Sequence, residues 1–213
     1  MAAAPFIGVL PFISSASVRF LAFGLYILAA VSDYYDGRLA RSRNDVTDLG
    51  RLLDPAADKL LLFATLIPMA ILMAPRENWL APILDHTGQA SQFPFVTPLF
   101  EVPLPWWVGL IVLSREVFMT IFRQQAARRG HVIAAIGPAK WKTAFQSMWV
   151  GAAFFWFGAA TLAAERGWEG KLAWQIFQSV NGIFGTLAML GAVTLTLYSL
   201  WLYLRHYRHV FVN

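Results

Sequence analysis

Ser32-Asp33-Tyr34-Tyr35-Asp36-Gly37-Arg38-Leu39-Ala40-Arg41, followed after a short polar interval by Gly50-Arg51-Leu52-Leu53-Asp54-Pro55-Ala56-Ala57-Asp58-Lys59, is the stretch on which the reading of this chain turns. Each half lies where an apolar run meets a polar one. Residues 20–32 are apolar up to Asp33, and residues 60–74 are apolar beyond Lys59. The pattern predicts one helix over about 18–41, a turn at Ser42–Asp48, and a second helix beginning near Gly50. Asp33 and Asp36 are three apart and Asp54 and Asp58 four apart, so each pair shares a helical face with side chains about 5–6 Å apart. Two antiparallel helices joined by a short turn can bring the pairs together.

Four carboxylates so placed repel one another at a membrane boundary, and divalent cations resolve that conflict. All-carboxylate ligands indicate hard ions, Mg²⁺ or Mn²⁺. Two such ions about 3.5–4 Å apart form a clamp for in-line displacement at phosphorus. Gly37, Ala40 and Gly50 are each four residues from a carboxylate, leaving that face open to close approach by a substrate. Arg41 supplies a fork for a phosphate. The plainer alternative is a helix–loop–helix with solvated charges, or ion pairs with neighbouring arginines. Acidic residues at helix ends in a membrane favour the functional reading.

Working outward, 58% of the 213 residues are hydrophobic and 14% charged, with a mean hydropathy of +0.54. Soluble domains are about half apolar and about a quarter charged. The composition predicts an all-α, polytopic membrane bundle in a single domain, residues 1–213, with about six spans. Further helices are expected over about 106–129, 139–163 and 174–203, and a long loop with five prolines over 75–104. Residues 2–13 are apolar but short for a span. The start of the chain has neither the basic region nor the cleavage site of a signal peptide. With no cysteine there is no disulfide framework and no thiolate metal site.

Of the 17 lysines and arginines, eleven fall at the ends that carry the aspartates, four on the opposite side, and Lys59 and Arg115 within helices. That bias places the aspartate face in the cytoplasm, as expected for a multi-pass protein of the cell (inner) membrane. The net charge of +5 is then a matter of anionic headgroups, with no nucleic acid implied. Trp106, Trp107, Trp201, Tyr203 and Tyr207 are read as interface belts. Gly182 and Gly185 are read as allowing close helix packing, and Phe154–Phe157 as a lipid-facing or packing surface.

The pattern D-x-x-D-G-x-x-A-R, then eight residues, then G-x-x-x-D-x-x-x-D resembles the signature of the CDP-alcohol phosphotransferases at every fixed position: Asp33, Asp36, Gly37, Ala40, Arg41, Gly50, Asp54 and Asp58. The resemblance implies a six-helix membrane enzyme, often a homodimer, that splits the pyrophosphate of a CDP-linked substrate and releases CMP. By position it implies that Asp33, Asp36, Asp54 and Asp58 hold two divalent cations and that Asp58 is also the general base. It further implies that Asp33, Gly37, Ala40, Arg41 and Gly50 contact the CDP portion.

Outer segments resemble the phosphatidylglycerophosphate synthase branch of that family. These are Leu53-Asp54-Pro55 with Ala57-Asp58-Lys59, Ser114-Arg115-Glu116 with Arg123, and Lys140-Trp141-Lys142-Thr143 with Gln146. They imply CDP-diacylglycerol as donor and glycerol 3-phosphate as acceptor, with Arg115, Arg123, Lys140 and Lys142 around the acceptor's phosphate. Arg115 falls about two turns inside its span, where an unpartnered cation is costly. Glu116, its neighbour in sequence, is expected to point elsewhere and to orient another basic residue. Such synthases usually open with an amphipathic segment resembling N-x-P-N-x-L-T-x-x-R, which is expected to be missing here, so the first span reads as truncated.

Other readings stay open: a cardiolipin, phosphatidylserine or phosphatidylinositol-phosphate synthase of the same family, a silent homologue, or a divalent-cation transporter. The clustering of carboxylates at one membrane face, away from the midplane, weighs against the transporter.

Overall fold

A computed structural model describes residues 3–43, 48–75, 93–129 and 137–207. Helix dominates. The order is α1 (Ala4–Val9), a 3-10 turn (Leu10–Phe12), α2 (Ala16–Arg43), α3 (Asp48–Leu72), a hairpin of β1 (Phe95–Val96) and β2 (Glu101–Val102), then α4 (Trp106–Arg128), α5 (Gly137–Arg166) and α6 (Leu172–Tyr207). The expected helix over 18–41 is thus 16–43, and the last two expected helices run several residues longer at their ends. Among the described residues, Trp141–Arg166 and Leu172–Tyr207 are long and apolar enough to cross a membrane; Ala16–Ser32 and Lys59–Leu72 are shorter apolar segments.

α5 is the central element, packed against both α2 and α6. It runs antiparallel to α2. At one end Glu165 Oε1 accepts the Ala16 N–H at 3.1 Å; midway Phe20 and Phe23 meet Phe155 edge-on; further along, Tyr26 donates its hydroxyl to the Ser147 carbonyl at 3.1 Å. Small residues let the helices close. A Cβ on Gly158 would come within 2.9 Å of the Phe20 ring, and one on Gly191 of α6 within 2.4 Å of the Phe145 ring. Such close approach suits a bundle in lipid, where apolar contact with tails competes equally with apolar contact between helices. Trp149, Phe154 and Phe157 are fully buried, so this part of α5 is packing surface, not lipid-facing.

α5 ends where Gly167 adopts φ +63. The Trp168 N–H reaches back to the Ala163 carbonyl at 2.9 Å and the Gly167 N–H to Ala164 at 3.3 Å, a double closure of the last turn that needs a left-handed residue at this position.

The Pro-rich segment holds a hairpin that the sequence did not disclose. Phe95 pairs with Val102 and Val96 with Glu101. It is tied to the end of α3 by Phe93 N–H on the Leu72 carbonyl and Leu104 N–H on the Met73 carbonyl, at 3.1 and 2.6 Å. It also corrects the reading of two glycines. Gly182 and Gly185 admit this strand to α6: an added Cβ would lie 1.8 Å from the Val96 carbonyl oxygen at the first and 2.3 Å from the Phe95 ring at the second. Arg19 is buried at the same end of the bundle. Its Nε donates to the Pro11 carbonyl at 2.9 Å, Nη1 to Thr161 Oγ1, and its guanidinium lies 4.6 Å from the centre of the Phe93 ring.

Candidate active site

The motif positions fall on two consecutive helices. Asp33, Asp36, Gly37, Ala40 and Arg41 lie in the C-terminal part of α2, and Gly50, Asp54 and Asp58 in the N-terminal part of α3. The backbone is helical through both segments, so the three- and four-residue spacings are true helical spacings and each aspartate pair shares a face. The side chains of these eight residues, and that of Lys140, lie outside the described residues.

The antiparallel register fixes which end of the bundle this is. Since α2 passes Ser147 at Tyr26, its later residues run toward the start of α5. α5 opens at Gly137-Pro138, with the proline in a first turn where its missing N–H costs nothing. The C-terminal ends of α4 and α6 lie at the same end, because Lys142 near the start of α5 touches α4, and α4 touches α6 beyond its midpoint.

There the structure assembles a charged cluster from three helices. Arg115 and Glu116 come from α4, Lys142 from α5, and Ser199 and Tyr203 from α6. Glu116 Oε1 accepts from Arg115 Nη1 at 2.8 Å and from Lys142 Nζ. The expectation that Glu116 orients another basic residue holds for Lys142, but it does not point away from Arg115. The long guanidinium folds back along the helix and meets its neighbour's carboxylate. Arg115 also donates Nη2 to Ser199 Oγ at 3.0 Å, and Ser199 in turn donates to the Thr196 carbonyl at 3.0 Å.

Two turns further along α4, Arg123 donates Nη2 to the Tyr203 hydroxyl at 3.2 Å, with its guanidinium 5.6 Å from that ring's centre. Arg123 itself is exposed. Arg115 and Lys142 are buried, with side-chain exposures of 6% and 7%, while Glu116 retains 26%. Two buried cations thus share one carboxylate, with Arg123 on the exposed side of the same cluster, an excess of positive charge that suits an anionic ligand. Arg115 Nε and Thr196 Oγ1 are buried and lack a hydrogen-bond partner among the described residues, so the cluster has polar capacity that those residues leave unused.

Thr196 and Ser199 of α6 escaped the sequence reading. Tyr203 is a correction: expected at a membrane interface, it is fully buried beneath α4. Thr196, Ser199 and Tyr203 recur at helical spacing as a polar stripe on an otherwise apolar helix, and that stripe is the signal that could have marked them.

A family model described as CDP-alcohol phosphatidyltransferase matches residues 1–204. The chain belongs to that family. Among the curated relatives of the chain is a probable phosphatidylglycerophosphate synthase of Mycobacterium tuberculosis. It is 31% identical over 136 residues, covering 64% of this chain and 51% of the relative. A CDP-diacylglycerol–glycerol-3-phosphate 3-phosphatidyltransferase of Bacillus subtilis is 34% identical over 119 residues, 56% of this chain and 47% of the relative. A CMP-forming cardiolipin synthase of Streptomyces coelicolor is 33% identical over 104 residues, 49% and 35% respectively. The chain spans about half the length of the first of these relatives and less of the others.

Proposed function

We propose that this protein transfers the phosphatidyl group of CDP-diacylglycerol to glycerol 3-phosphate, giving phosphatidylglycerophosphate and CMP. The observation that carries the reading is the joining of two features at one end of the bundle. The complete eight-position motif lies on helical backbone in α2 and α3, and the Arg115–Glu116–Lys142 cluster with Arg123 lies where α4, α5 and α6 meet. The names of the Mycobacterium and Bacillus relatives favour the same donor and acceptor.

The donor set fits divalent metal. Asp33, Asp36, Asp54 and Asp58 offer only carboxylate oxygens, on two helices separated by four residues, and hard ions such as Mg²⁺ or Mn²⁺ prefer such ligands. When bound, two ions supply charge neutralisation for the pyrophosphate and for the phosphorus under attack. Gly37, Ala40 and Gly50 keep side-chain bulk away from the CDP portion, and Arg41 pairs with a phosphate oxygen. Arg115, Arg123, Lys140 and Lys142 hold the acceptor's phosphate. Asp58 takes the proton of the acceptor's hydroxyl as its oxygen forms a bond to the phosphorus that carries diacylglycerol. The bond from that phosphorus to the bridging pyrophosphate oxygen breaks, and CMP leaves.

In this reading residues 1–213 form one membrane domain of six helical segments. It is multi-pass in the cell (inner) membrane, with the site facing the cytoplasm and two copies associated as a homodimer. The Lys/Arg bias supports the orientation.

The test is an acceptor exchange. Purified protein with CDP-diacylglycerol and Mg²⁺ or Mn²⁺ is expected to release CMP when glycerol 3-phosphate is added, and to stop when the metal is chelated. Release with phosphatidylglycerol alone would make it a cardiolipin synthase, and release with serine or an inositol phosphate alone would move it to those branches. Metal uptake into proteoliposomes without any CDP-lipid turnover would favour a transporter.

A further inference from the structure

Helix α6 carries no position of the family motif, yet it holds both arginines of the cationic cluster. Ser199 and Tyr203 are four residues apart, one turn on a single face, and both are fully buried. Their partners on α4, Arg115 and Arg123, are eight residues apart. At 1.5 Å per residue the two arginine backbones stand about 12 Å apart along α4, whereas their anchors stand about 6 Å apart along α6. The backbones that carry the two anchors are therefore closer together than those that carry the arginines, a spacing that lets the guanidinium groups converge.

Lys142 lies within electrostatic range of both. Like charges gathered this way repel unless an anion is shared among them, and Glu116 engages only Arg115 and Lys142 in the contacts described above. The buried hydroxyls do not neutralise the arginines. They fix direction: Ser199 accepts from Arg115 while its own proton goes to the Thr196 carbonyl, so the lone pair facing Arg115 is set by the helix. Tyr203 presents its hydroxyl oxygen to Arg123 and its ring beneath the same guanidinium.

We infer that Ser199 and Tyr203 are positioning residues that hold Arg115 and Arg123 as a convergent pair for the phosphate of the acceptor alcohol. The inference rests on the acceptor proposed above. Neither residue need touch a substrate; each acts through an arginine.

Ser199→Ala and Tyr203→Phe remove a hydroxyl each and leave volume nearly unchanged, and Tyr203→Phe keeps the ring under Arg123. Full-length wild type and both variants, reconstituted in lipid nanodiscs with Mg²⁺, are assayed for CMP release while glycerol 3-phosphate and CDP-diacylglycerol are varied separately. The expected result is a rise of roughly five- to tenfold in the KM for glycerol 3-phosphate in each variant, the scale of one ordinary hydrogen bond, since each arginine keeps its charge and loses only an orienting contact. The KM for CDP-diacylglycerol and kcat are expected to stay within about twofold, since the lost contact bears on acceptor binding alone. Equal rises in both KM values, a fall in kcat alone, or no change in either variant would overturn the inference while leaving the activity standing. A wild type that releases CMP with no phosphorylated acceptor would overturn the proposed acceptor and this inference together.

Discussion

Arg115 illustrates how a single charged residue is kept inside a helical bundle. Its guanidinium is buried, and it is met by a carboxylate on one side and a serine hydroxyl on the other. A buried cation left unpaired is costly, so such residues are retained for function or paired for structure; Arg115 has the second and is proposed to have the first. At the same scale, Asp58→Asn keeps shape and removes the proton acceptor. Turnover is expected to fall by at least about a thousandfold, the upper part of the range for a general base, with CDP-lipid affinity changed little. Equilibrium binding beside CMP release checks this, and loss of binding with retained turnover at saturating donor would defeat the base assignment.

The helices that carry the aspartates were legible: the three- and four-residue spacings need only a helix to become a face, and the helix is there. Glu116 and Tyr203 were less so. Adjacent residues on a helix do not face each other, yet a long arginine side chain can bend back, and an aromatic near a span's end reads as an interface residue until a neighbouring helix covers it.

At the scale of elements, the long helices were readable from apolar runs and basic ends, while the hairpin was not. Strands of two residues carry no alternation that a sequence can display, and prolines at 94, 98, 103 and 105 argue for loop. What fixes the hairpin is tertiary: the Val96 carbonyl seated on Gly182 and the Phe95 ring on Gly185. Gly182→Ala is therefore expected to force the strand off α6. With the new carbon only 1.8 Å from the Val96 oxygen, the expected loss is about 1–3 kcal/mol, the scale of overpacking, seen as a lowered melting temperature in detergent. Gly109, also helical but with nothing within 4 Å of an added Cβ, serves as the control: Gly109→Ala is expected to leave the melting temperature unchanged or raised, as helix propensity favours alanine.

For the whole molecule, the absence of cysteine makes orientation directly measurable. Leu99, at the hairpin tip, is 87% exposed, and Trp141, beside the cationic cluster, is 65% exposed. In intact cells Leu99→Cys is expected to react with a membrane-impermeant maleimide and Trp141→Cys only after permeabilisation; the reverse pattern would invert the topology. α6 links these two ends. At 36 residues it is about 54 Å long, gripped at Gly182 by a strand from the hairpin and at Ser199 and Tyr203 by the arginines of α4. The two grips are locked in rotational phase. One residue added between them would turn the far grip by about 100°, so that the helix could satisfy the strand or the arginines and never both. Sequence drift in that interval is free to change letters, but not their number.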